Sequence, residues 1–531
     1  MEKMFEFQNF TLPSSNLLNR FFHVFSLSMY QNPVDDSETT HYLISSNQLD
    51  LILSVLHHSL LLFAAFYFLW SLFCNTCRRY LYDMLDNVSY EWGKSFTEHL
   101  INRTEGFECK VYSCKTKDGC QLQLLRMIYT GTTKHHATKL PSEKKVNYFK
   151  EIENDGDLTA QFEEILKESQ TLHNKPVVFL QHGLLEAMTV FVLHKDSLAF
   201  QLARQGFDVW LGNNRTSWFG QQHLITKYEE VDFWRFSIDE IVKFDLPAMI
   251  DFVRQATNQQ RICWVGMSQG AGQLFAYLSQ PENEQYKNYL SCIVGISPAC
   301  FLKKNPNSLL LRLLMSIPTW LLGKREFFIG VAFGQLFLPN WFLAKAGEGA
   351  LKLLKIQSKD LPDDPMKGEW FKNIPLGCTS VNNVVHWFDM LREGGCLRKY
   401  NGKDVYPIDT MLAKWRNLYH DEHATEYVPP MFIFLGGKDN VVDSDSSMHY
   451  FGCCCSSFLQ DEGSKPCQSE SCNRCKREVE ESCHSGANDC TILYDEEYGH
   501  TDFLWGNPDA KHMRHYNKVI NFIKKHTMAE Q

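Results

Sequence analysis

The sequence predicts an α/β fold built on a mostly parallel sheet, with a serine-centred site at one edge of that sheet. Three observations predict it. Short, wholly apolar runs alternate with helical spacings downstream of Lys175, and strands alternating with helices imply parallel pairing. A G-x-S-x-G pentapeptide, Gly266–Gly270, lies between one such run and a helical stretch. Asp439 and His500 then follow in the order Ser, acid, His that this architecture requires.

The chain has 531 residues, 44% of them apolar and 13% aromatic. That is enough to bury a large core, and it excludes wholesale disorder. The formal charge of −9 comes with no basic cluster, so neither nucleic acid nor anionic lipid has an electrostatic handle.

Taken in order, residues 1–50 form a polar, mixed tail with an apolar patch at Phe21–Tyr30. Leu51–Cys74 is a run of 24 residues without a charged side chain, interrupted only by His57, His58 and a few serines. At about 1.5 Å per residue it matches a hydrocarbon core of about 30 Å, so a membrane anchor helix is expected over 51–74. A hairpin with the Phe21–Tyr30 patch as its second arm is the alternative. The run lies too far from the N-terminus, and lacks the basic flank, for a signal peptide. Arg78 and Arg79 follow it, while Asp35, Asp36, Glu38 and Asp50 precede it, which puts the C-terminal bulk in the cytoplasm. Sequons at Asn9, Asn87, Asn102 and Asn214 would permit the opposite orientation. Asn214 falls in expected core.

Residues 75–300 are expected to form the first part of the core. Within them 134–175 is a charged surface loop. Strands are expected at 177–180, 207–211 and 262–265, and a late one at 431–435. Ile241, Val242, Leu246, Met249, Ile250 and Val253 have the spacing of a helix over 238–256, and another helix follows at 271–279. Residues 301–378 are rich in Leu, Phe and Trp, broken by Pro318, Gly323 and Pro339, and are expected to form a helical cap or lid. Residues 379–531 close the core and end in a helix over 512–526, with His512 and His515 expected on its surface.

Eight of the eighteen cysteines (Cys453, Cys454, Cys455, Cys467, Cys472, Cys475, Cys483 and Cys490) crowd one stretch, 452–490. This is expected to be a local insert, foremost a reduced surface loop. Palmitoylation of Cys453–Cys455, or disulfides in a lumenal setting, are the other readings. Zinc on Cys472, Cys475, Cys483 and Cys490 is a weak one, because the spacing fits no standard finger.

The chemistry rests on the pentapeptide. A serine on a sharp strand-to-helix turn needs neighbours without a Cβ, so that the backbones can pass closely. The helix N-terminus behind it favours negative charge. A serine hydroxyl needs a base, and the base needs a carboxylate to orient it. Ser268, Asp439 and His500 fill these roles, with Asp443 and Asp445 as rival acids. The developing oxyanion needs two amides. Gln269 follows the nucleophile, and Leu184 follows the strand ending at His182-Gly183. No cofactor is required.

At this point the chain resembles the acid lipase and steryl ester hydrolase family. Thr116-Lys117-Asp118-Gly119 with Arg126 looks like the family's opening segment, with Cys120 in place of the usual tyrosine. Phe179–Leu185, Asp208–Asn213 with Arg215, Phe233–Ser237 leading into Asp245–Phe252, Thr379–Val381 with Asn383 and His386-Trp387, Gly436–Asp439, and His500 with Asp502-Phe503 match further motifs. The resemblance runs from about Thr116 to the C-terminus, except for the cysteine insert, and the uncharged run at 51–74 likens the chain in layout to the family's fungal membrane-anchored steryl ester hydrolases. It implies the α/β-hydrolase fold, Ser268–Asp439–His500 as the triad, and Leu184 and Gln269 at the oxyanion hole, and it favours Asp439 over Asp443. Sixty residues separate Asp439 from His500, about twice the family's spacing, and the cysteine-rich stretch is the excess.

The expectation is therefore a membrane-anchored serine hydrolase of neutral lipid esters, steryl esters first. Triacylglycerol hydrolysis, acyl transfer, or an inactive lipid-binding role on the same fold are the alternatives. A membrane or lipid-droplet surface is the expected partner. The endoplasmic reticulum, lipid droplet or plasma membrane is the expected location, with the catalytic domain facing the cytoplasm.

Overall fold

A computed structural model describes residues 100–102, 104–131, 175–215, 222–223, 231–327, 338–361, 367–373, 379–400, 402–421, 423–452, 457–460 and 490–528. All lie in one compact unit, Phe73–Gln531. The run at 51–74 lies outside the described residues, and among these no helix is long and apolar enough to cross a membrane.

The strands are β1 Phe107–Lys115, β2 Cys120–Tyr129, β3 Val177–Gln181, β4 Asp208–Gly212, β5 Gln222–His223, β6 Ile262–Met267, β7 Leu290–Ile296, β8 Phe301–Leu302, β9 Gly395–Cys396, β10 Met431–Gly436, β11 Ser457–Gln460 and β12 Cys490–Asp495. The main sheet runs β1-β2-β4-β3-β6-β7-β10-β12-β11, with β5 on β2. β1 and β2 pair antiparallel, β2 meets β4 antiparallel, and every later pairing along the path is parallel. The four expected strands are β3, β4, β6 and β10, each within two residues of its expected bounds. β1 had no clear signal because half its positions are partly exposed and its apolar residues are mixed with charges.

Helices cover both faces of the sheet, so the central strands are buried end to end. Phe179, Trp210, Trp264 and Ile293 pack on one face against Leu246, Met249, Ile250 and Phe275. Val178, Leu180, Val265 and Phe434 pack on the other against Leu198, Leu202, Val519 and Ile523. The helix expected over 238–256 spans 238–257 and contains a π-helical segment, Ile241–Asp245. Its start is fixed by a capping box between Ser237 and Glu240.

Two buried ion pairs tie the first strands to this frame. Arg126 donates to Asp208 from Nε (2.8 Å) and Nη2 (2.6 Å). Arg215 donates to Asp245 (2.8 Å) and to Asp118 (2.7 Å). Removing Arg126 or Asp208 would leave a charge stranded in the core, whereas Arg215 has both the buried Asp245 and the partly exposed Asp118. Asn214 is fully buried and donates to Gln273 at 3.1 Å, so its sequon is not a surface acceptor site.

Several expectations need correction. His512 and His515 are each 1% exposed, not on the helix surface. Burial holds His512 well below the usual histidine range, at about 4, and His515 Nε2 lies 3.4 Å from Asp495. The residues they face, Tyr498, Phe503 and Phe434, arrive from other elements and left no mark on the helix's own pattern. Cys490 begins β12 and is buried with its thiol toward the Phe451 carbonyl, so it belongs to the sheet and not to a loop. Cys453–Cys455, Cys467, Cys472, Cys475 and Cys483 lie outside the described residues. Among the described residues no cluster of ligating side chains could hold a metal ion.

Among the described residues between β8 and the helix Val381–Glu393 are the helices Leu309–Met315, Thr319–Leu322, Asn340–Leu354 and Lys367–Asn373. Among the described residues they carry half of the large exposed apolar side chains, including Trp320 (70% exposed) and Trp341 (66%).

Candidate active site

Ser268 sits between β6 and the helix Gln269–Leu278, at φ 51° and ψ −114°. A non-glycine residue held there stores on the order of 1–3 kcal/mol of strain, which the surrounding structure must impose. It does so through the backbone: Ser268 N donates to Ile296 O (2.9 Å), and Ser268 O accepts from Gly272 and Ala299. The flanking glycines are needed for the close approach. A Cβ on Gly266 would stand 2.5 Å from Ala271 N, and one on Gly270 would stand 2.4 Å from Gln181 O. The turn therefore cannot form with side chains at those positions.

His500 Nε2 lies 2.8 Å from Ser268 Oγ, and its Nδ1 lies 2.8 Å from Asp439 Oδ2. Asp439 follows β10, and its other oxygen accepts from Val441 N (2.8 Å) and Val442 N (2.9 Å). Those bonds leave Oδ2 directed at the imidazole. The rivals are elsewhere: Asp443 accepts from Ser446 at the start of the helix Ser444–Gly452, and Asp445 is exposed on that helix. All three triad residues are buried. Burial opposes a charged His500, but the carboxylate of Asp439, aided by Glu186 and Asp502, outweighs it and raises the imidazole above its ordinary value.

Gln269 begins the helix that follows Ser268, and Leu184 lies in the turn after β3. Neither backbone N–H has an acceptor among the described residues. An oxyanion formed at Ser268 would require two such amides. The Gln269 side chain is fixed from behind, because its Oε1 accepts from Trp387 Nε1 at 2.8 Å. His182 is structural: its Nε2 accepts from Asn214 N (3.1 Å), and burial holds it neutral, at about 4.

Sequence reasoning missed Glu186. Its Oε2 accepts from Gly183 N at 2.8 Å, and a Cβ on Gly183 would lie 3.1 Å from Ser268 Cβ. The carboxyl thus braces the turn that lies against the nucleophile. Burial pushes it up to about 7. The available signal was an acidic residue inside the apolar run Leu184–Met188.

With this geometry in place, the comparisons are informative. A model of the alpha/beta hydrolase fold matches residues 176–458, and a partial alpha/beta-hydrolase lipase region matches 98–195. Lipase member M of Mus musculus is 33% identical over 365 residues, covering 66% of this chain and 76% of that protein. Gastric triacylglycerol lipase of Homo sapiens is 29% identical over 290 residues, covering 52% and 70%. A probable lipase of Schizosaccharomyces pombe is 29% identical over 288 residues, covering 52% of this chain and 58% of that protein.

Proposed function

The chain belongs to the α/β-hydrolase fold family, with lipases among its relatives, and on that premise we propose that it hydrolyses carboxylic esters of neutral lipids, steryl esters first. The observation that carries the activity is the unbroken relay Ser268–His500–Asp439, with both contacts at 2.8 Å. Ser268 Oγ attacks the ester carbonyl as His500 Nε2 takes its proton. The tetrahedral oxyanion is held by the N–H groups of Leu184 and Gln269. His500 then protonates the departing alkoxide, leaving an acyl group on Ser268. Water attacks the acyl carbon as His500 takes its proton, and the bond to Ser268 Oγ then breaks as His500 returns that proton to Oγ, releasing the fatty acid.

The substrate class is supported by the apolar cap. Trp320, Trp341, Leu309 and Leu353 are exposed on its helices, a surface suited to a lipid phase. A sterol ester is a rigid apolar body with one polar point, and wide apolar walls with two amides suit it. The uncharged run at 51–74 points the same way, since membrane-anchored members of the resembling family act on steryl esters. We read this run as an anchor that holds the catalytic unit on the cytoplasmic side of the endoplasmic reticulum, a lipid droplet or the plasma membrane.

A triacylglycerol lipase is the second reading, favoured by the name of the human relative. Full-length enzyme assayed against cholesteryl oleate and triolein in the same detergent separates the two. Release of free sterol at the higher rate is expected, and much faster cleavage of triolein overturns the steryl ester assignment. Accumulation of the sterol ester of an added free sterol would point to acyl transfer. Carbonate extraction tests the anchor, and release of the intact chain would refute it.

A further inference from the structure

The acid and the base sit on two loops that are far apart in sequence, and one segment of the cap touches both. The helix Asn340–Leu354 ends at Lys355 in the left-handed conformation (φ 53°), and the chain turns into a stem, residues 356–361. On the base side, Ile356 O accepts from Thr501 N (3.0 Å), the residue after His500. Ser358 N and Lys359 N each donate to Asp502 at 3.1 Å. The Ser358 hydroxyl reaches both Asp502 Oδ2 and Glu497 O and can donate to one at a time. Asp502 Oδ2 also accepts from Gly499 N at 2.6 Å, the residue before His500. On the acid side, Asn440 Nδ2 donates to Leu354 O (3.4 Å), and its Oδ1 accepts from Asn307 N (2.7 Å).

Asp502 is fully buried, while Ser358 is exposed. A buried carboxyl shared by three backbone amides and a hydroxyl is a rigid junction, because each lost bond leaves a desolvated polar group behind. The fit leaves little room: a Cβ on Gly499 would lie 3.1 Å from Ser358 N and 3.2 Å from Ile356 O. The residues on either side of His500 are therefore held by the cap stem as much as by the sheet.

We infer that Asp502 is a positioning residue for the catalytic base, and that it acts by clamping the cap stem Ile356–Lys359 onto the loop carrying His500, so that stem and base hold one geometry. The inference rests on the reading of Ser268, His500 and Asp439 as a hydrolase triad. Its consequence is that displacing the stem disarms the enzyme even where Ser268 is accessible.

The test uses the full chain, p-nitrophenyl butyrate as a soluble ester, and the rate of Ser268 labelling by a fluorophosphonate, with the melting temperature followed for each variant. Asp502→Asn should lower kcat and the labelling rate about tenfold with KM within twofold of wild type. Ser358→Ala should lower both about threefold, and Ser358→Thr, which keeps the hydroxyl, should restore them. The double variant should be no slower than Asp502→Asn alone, because Ser358 acts through Asp502. Three carboxyls face His500, namely Asp439, Glu186 and Asp502. The acid limb of kcat/KM should therefore move to lower pH in Asp502→Asn, a change that a merely structural role would not produce. Wild-type rates in Asp502→Asn, or multiplicative losses in the double variant, overturn the clamp. If Asp502→Asn does not fold, Ser358→Ala decides, and unchanged labelling by it overturns the proposal. Failure of the wild type itself to label would instead overturn the hydrolase reading.

Discussion

Ser268 and the pair Asp439–His500 are built in opposite ways. Ser268 sits on a turn that its sequence neighbours form, namely β6, the glycines at 266 and 270 and the helix that follows, braced by Ile296 and Ala299 after the adjacent strand β7. Asp439 and His500 are sixty-one positions apart, and their loops meet through β10 beside β12 and through contacts with the cap stem. A local turn is robust because its strain is imposed by hydrogen bonds formed with the nearest strand and helix. A pair assembled at a distance depends on every element that holds the two loops together. The first half of the site should fail by unfolding, and the second by misalignment.

The largest effects should come where both halves meet. Ser268→Ala or His500→Ala should each reduce hydrolysis by roughly 10⁴–10⁶-fold, since a triad acts as one unit. Steady-state turnover of a chromogenic ester measures this, and near-wild-type turnover by Ser268→Ala would remove the assignment. Asp439→Asn should lose about 10⁴-fold by presenting the wrong histidine tautomer. Asp443→Asn, at the rival acid, should stay within a few-fold.

The contrast in failure mode can be tested at the glycines. Gly270→Ala puts a Cβ 2.4 Å from Gln181 O, a backbone atom that cannot give way. It should cost about 3 kcal/mol of stability, read by denaturant unfolding. Asp502→Asn, by contrast, should lose rate with a smaller stability change. If both variants lost stability equally and rate equally, the distinction between the two halves would collapse.

The next effect is on pH. Hydrolysis needs neutral His500, whose pKa is raised, so the acid limb of kcat/KM should lie above pH 6.5. Glu186→Gln keeps an acceptor for Gly183 N and removes a charge facing His500, so that limb should shift to lower pH. The same change has a stability signature. The Glu186 carboxyl is raised from 4.5 to about 7, so the folded state binds the extra proton and wild-type stability falls as pH rises between those values. Relative to wild type, Glu186→Gln should gain stability across that window, and parallel melting curves from pH 4.5 to 7 would contradict it.

The smallest effect is expected at the insert. β11 and β12 are parallel neighbours, and their crossover needs at least about a dozen residues. Replacing residues 461–489 by a flexible linker of about that length should leave kcat within twofold. A large loss would mean that the cysteine-rich stretch contributes to the site.

The Ser268 turn and the buried parallel strands were legible in the sequence, and so were Leu184 and Gln269 as candidates for the oxyanion amides. Each depends on residue type and spacing within a window of a dozen residues, where strand burial and turn sterics leave a direct imprint. Other assignments needed the tertiary structure. Position along the chain left Asp443 and Asp445 as rivals of Asp439, which only the family resemblance favoured, and the folded chain puts Asp439 Oδ2 2.8 Å from His500 Nδ1. His512 and His515 look like surface residues until Tyr498 and Phe434 arrive from other elements to bury them. Glu186 and Ser358 carry no motif of their own, and the motif that includes Asp502 does not show what it holds, because their partners are set by chain reversals rather than by neighbours in sequence. Periodicity records the environment that a residue shares with its own helix or strand. Contacts closed across loops leave no such record, and so the sequence named the chemistry while the folded chain decided which side chains align it.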